Sequence, residues 1–72
     1  MLQDFATFAR RFAITPADAY VLPALFERTA QAVNLPVRAL LAQATYSNAK
    51  LGEYLAECAR KVAVADRAEV AA

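Results

Sequence analysis

Histidine is absent from this chain, and cysteine, serine and glycine occur once each, as Cys58, Ser47 and Gly52. Without histidine, the commonest general base and metal ligand is missing. Ser47 has no base to activate it, and Gly52 alone cannot build a phosphate-cradling loop. One cysteine closes no internal disulfide, which makes a reducing, cytoplasmic setting the default expectation. Excess charge is scarce too. Eight Lys/Arg stand against seven Asp/Glu, a formal net charge of +1, which gives no strong field toward nucleic acid or an anionic membrane. The longest uncharged stretch, Ala39 to Ala49, is far shorter than the ~20 residues that cross a bilayer. Asp4 stands close behind Met1 with no basic-then-apolar arrangement, so no secretory leader is read. These absences point away from an enzyme, a cofactor, a metal site, a small-molecule substrate and a membrane partner.

What is present suits a small folded domain. The 72 residues are 60% hydrophobic and 21% charged, a balance that argues against disorder. Much of the apolar fraction is alanine, which buries little area per residue. The larger groups (Phe5, Phe8, Phe12, Val21, Leu22, Leu25, Phe26, Leu40, Leu41, Leu51, Leu55 and Val62 among them) leave a monomer of this size marginal. Pairing with a second copy is the usual remedy, so a homodimer is expected.

Helix signals divide the chain. Leu2, Phe5, Ala9 and Phe12, with Phe8 beside them, form one stripe at spacings of three and four. Asp4 lies in the first turn of that helix, and Arg10 and Arg11 in the last, as the helix dipole favours. Ala13 and Ile14 end it. Thr15 is the expected cap of the next helix, with Pro16 at its first position, Asp18 placed as in a capping box and Ile14 as a staple. Pro23 predicts a kink or a break; the favoured reading is one kinked helix from Pro16 to Val33, with Val21, Leu22, Leu25, Phe26, Thr29 and Val33 inward. Asn34 is a plausible left-handed end. A third helix is expected from Pro36 to about Thr45, with Val37, Leu40, Leu41 and Ala44 inward. A loop at Tyr46-Ser47-Asn48 follows, in which Ser47 or Asn48 caps the last helix, Ala49 to about Asp66. There the stripe reads Leu51, Leu55, Cys58, Val62 and Ala65. The expectation is therefore an all-α fold, a small four-helix domain over residues 1–66 with a frayed tail at 67–72. Partial alternation from Gln3 to Phe12 admits a ribbon-helix-helix dimer, but the following helices are longer than that fold normally uses.

Two functional readings come from this pattern. The first is a non-enzymatic protein–protein interaction or assembly module, a small self-associating accessory protein of bacterial type, with Phe5, Phe8, Phe12 and Tyr54 as interface candidates. Its partners would be itself and an unidentified protein. The second is a small DNA-binding regulator built on a helix-turn-helix-like hairpin over residues 27–45. Ala30 permits a close crossing, Asn34 stands at the turn, and Val33, Leu35 and Leu40 pack around it. Arg38 and Gln43 would then meet base edges, and Arg28 phosphates. Thr29 and Gln43 fall where apolar residues are expected, and the reading helix carries a single cation, which weakens this case. Glu53 and Glu57 share a helix face without histidines or facing carboxylates, so they read as solvated. Phe5, Phe8 and Phe12 opposite Arg10 and Arg11 resemble an interfacial helix, but the polar face is poor in lysine and arginine.

Overall fold

The first helix ends in a left-handed residue that is not glycine. In the computed structural model, which describes residues 2–71 and the side chains of 5–70, α1 spans Leu2–Arg11. Leu2 and Asp4, placed on its stripe and in its first turn, lie outside the described side chains. Ala13 has φ 56°, and its amide reaches the Arg10 carbonyl at 3.4 Å. The Ile14 amide reaches the Ala9 carbonyl at 2.8 Å, and Ile14 is buried. This pair of bonds satisfies carbonyls that the helix end would leave open.

A single turn, α2 (Pro16–Ala19), comes next. Thr15 is extended, at φ −69° and ψ 156°, and its carbonyl accepts from the Asp18 and Ala19 amides at 2.9 and 3.0 Å. Its side chain makes no capping hydrogen bond, and the Asp18 carboxylate turns to Arg67 instead of closing a capping box. The long kinked helix expected over residues 16–33 is two helices. The chain breaks at Tyr20 and Val21, and α3 (Leu22–Val33) takes Pro23 into its first turn. There the missing N–H leaves no bond unmade, whereas a continuous helix would lose the one to Ala19. Asn34, at φ 59° and ψ 46°, closes α3 with the same two-bond motif, Leu35 to Ala30 at 2.9 Å and Asn34 to Gln31 at 3.3 Å.

Helix α4 (Val37–Ala42) is shorter than expected because the backbone widens into a π-helical turn over Gln43–Ser47. Tyr46 and Ser47, expected in a loop, belong to that turn. Its ring closes where the Asn48 amide meets the Gln43 carbonyl at 2.7 Å. Asn48 then caps α5 (Ala49–Ala71), its Oδ1 accepting from the Leu51 amide at 3.1 Å. α5 continues as helix past Asp66. Among the described residues the fold is thus all-helical, without a strand, and has five α-helices where four were expected.

Phe8, Leu22, Phe26, Leu40 and Leu55 are fully buried. Phe26 lies edge-on to both Phe8 and Phe5, with centroids 5.1 and 5.7 Å apart, and Phe12 tilts against Phe8 at 4.8 Å. Leu41 and Ala44 of the third segment are buried as expected, but Val33 of α3 is exposed. α5 departs furthest from expectation. Its inward stripe is Gly52, Leu55, Ala56, Ala59 and Ala63, whereas Val62 and Ala65 face outward and Cys58 is half-buried. The smallest side chains turn inward because the helix lies very close to its neighbours. A Cβ on Gly52 would overlap the Phe12 ring, with Cε2 at 2.7 Å and Cζ closer, and the Ala44 carbonyl oxygen.

Candidate functional site

The far half of α5 is tied to α2 by two polar contacts. Asp18 Oδ1 and Arg67 Nη1 are 2.8 Å apart, and the Tyr20 hydroxyl donates to Asp66 Oδ2. Bonding to the carboxylate raises the Tyr20 pKa above the ordinary 10.0, with Asp66 charge and slight desolvation adding to it. These contacts link residues far apart in sequence and fix how α5 lies across the domain. Both are exposed, so they orient more than they stabilise.

The predicted interface residues do not gather in one place. Phe8 has no exposed surface, and Phe5 and Phe12 are half-buried against the core. Satisfying these rings within the domain removes most of the apolar ridge that α1 was expected to offer. Tyr54, in contrast, is 64% exposed on α5. Interaction with the Cys58 side chain, one turn on, raises its phenol pKa above the ordinary 10.0.

The predicted nucleic-acid contacts Arg28, Arg38 and Gln43 are all exposed. Among the described residues, the only ion pair is that of Arg67 with Asp18, so neither arginine has a carboxylate partner. They border different recesses. Arg28 lies with Ala24, Leu25 and Val62 in a groove between α3 and α5. Arg38 lines a small cleft with Leu41, Ala42, Thr45 and Tyr46 at the π-helical turn. In that turn Thr45 Oγ1 is buried and, among the described residues, has no hydrogen-bond partner. The α-helical part of the would-be reading helix is six residues long.

One surface, Tyr54 apart, escaped the sequence reading. Lys50, Tyr54, Glu57, Lys61, Val64 and Ala68 recur along α5 at alternating spacings of four and three, and every one is exposed. At about 100° per residue they point almost directly away from the inward stripe. The signal was available in the spacing, but the stripe through Leu51, Leu55 and Val62 drew attention to the wrong side of the helix. Among the described residues, no helix is long and apolar enough to cross a membrane, and no three Cys, Asp or Glu side chains cluster as metal ligands would. Compared with protein-family models, curated proteins and solved structures, the chain matches none of them.

Proposed function

We propose that this protein is a non-enzymatic interaction and assembly module that associates with itself. The observation behind this reading is the set of large apolar side chains left on α5 after the core is filled. Tyr54 is 64% exposed, Val64 57% and Val62 46%, on a helix that runs the length of the domain. A chain this short gains much of its missing stability by covering such surface with a second copy. Cys58 without a disulfide partner fits a cytoplasmic location. Sedimentation velocity across low micromolar to millimolar concentrations tests the reading; a shift toward twice the monomer mass is expected. A single monomeric species throughout refutes it.

A second reading is favoured by one observation, the exposure of Arg28, Arg38 and Gln43, with no ion pair to either arginine among the described residues. It makes the α3–α4 hairpin a DNA contact. A shift assay at about 50 mM salt, where phosphate contacts are strong, decides it. Binding that weakens with Arg38→Ala supports this second reading, and no binding removes it.

A further inference from the structure

The charge order on the outer face of α5 is self-complementary in one direction only. Along Lys50, Tyr54, Glu57, Lys61, Val64 and Ala68, the alternating spacing of four and three is that of a helix that packs lengthwise on another helix. Two copies laid parallel would set Glu57 against Glu57 and Lys61 against Lys61. Laid antiparallel about the midpoint of Ala59, each Glu57 meets Lys61 of the second copy, and each Tyr54 meets its Val64. Lys50 then lies beside Ala68 and Glu69 at the far end. The two helix dipoles also oppose each other in this arrangement. We infer that the outer face of α5 is the site at which a second copy of this chain docks, antiparallel, through Tyr54, Glu57, Lys61 and Val64.

This inference rests on the self-association proposed above and adds its geometry and its partner residues. Every residue of the face is exposed and lies opposite the core, so docking needs no rearrangement of the fold. From Lys50 to Ala68 it extends about 27 Å, a contact at the small end for protein pairs, which makes the dimer weak and reversible. The glutamate–lysine pairs set direction and register more than they add affinity.

Four versions of the full chain test it by sedimentation velocity: wild type, Glu57→Lys, Lys61→Glu, and the double reversal. Each single reversal puts like charges across the two-fold axis and is expected to weaken self-association about tenfold or more. An equimolar mixture of the two single variants restores opposite charges at both contacts and is expected to form a mixed dimer. The double reversal keeps the wild-type dimer. Both substituted positions are exposed, and helical circular dichroism confirms that each variant folds. Single variants that dimerise like wild type place the contact elsewhere while leaving self-association standing. A wild-type chain that stays monomeric at millimolar concentration overturns both.

Discussion

Gly52→Ala is expected to destabilise this protein, against what helix propensity alone dictates. Alanine within a helix is favoured over glycine by about 1 kcal/mol. The added methyl, however, would overlap the Phe12 ring and the Ala44 carbonyl oxygen. Phe12 is half-buried and has some freedom to move. The Ala44 carbonyl belongs to the backbone of a fully buried residue in the π-helical turn and has little. Overpacking of this kind costs about 1–3 kcal/mol or somewhat more, and the backbone contact puts this case at the upper end. The net loss is then about 2 kcal/mol, which for a domain of this size lowers Tm by roughly 8–16 °C. Thermal and urea unfolding followed by circular dichroism measure it. Phe12→Leu combined with Gly52→Ala should recover part of the loss, because the ring overlap is relieved and the carbonyl overlap is not. A Gly52→Ala protein as stable as wild type, or more so, would refute the close approach of α5 to α1 and the turn.

Three further outcomes follow from the geometry. Ala13→Gly should stabilise by about 0.5–1 kcal/mol, since a left-handed alanine is strained and glycine's extra unfolded-state freedom offsets only part of the gain; denaturant midpoints report it. Thr45→Val should raise stability by about 1 kcal/mol by removing a buried hydroxyl that has no partner, and a loss would show that the hydroxyl is bonded in solution. The Tyr20 pKa is raised in the folded state, so its contribution to stability is fully present below pH 10 and is lost as pH rises through the folded value. Unfolding of wild type and Tyr20→Phe compared across this range should show the two stabilities converging at high pH.

Turn chemistry carried most of what the sequence revealed. Pro16 and Asn34 mark a helix start and a helix end because one fixes φ and the other tolerates the left-handed region. Asn48 caps α5 for the same local reason that named it a candidate. Ala13 does the work of Asn34 with no side chain to advertise it, so its conformation could not be read. The π-helical turn likewise has no residue signature; Gln43–Ser47 reads as ordinary helix until the packing is known. Gly52 did carry a signal, as a lone glycine inside a helical pattern, since such a position usually permits close approach. Its meaning was missed because large side chains were given the inward face of α5, and close packing there selects small ones. For the same reason Phe5, Phe8 and Phe12 were offered to a partner while Val64 and Lys61 were not.

The wide ring at Gln43–Ser47 makes chain length there a fixed quantity. It accommodates one residue more than ordinary winding would between the same two points. Deleting a residue from this pentad would let the backbone rewind as ordinary helix between those points, whereas inserting one would turn everything downstream by roughly 100° and push it on by about 1.5 Å. Gly52 would then arrive beneath neither the Phe12 ring nor the Ala44 carbonyl, and a bulkier neighbour would take its place. Insertions are therefore expected to be tolerated far less well here than in the exposed turns of the molecule.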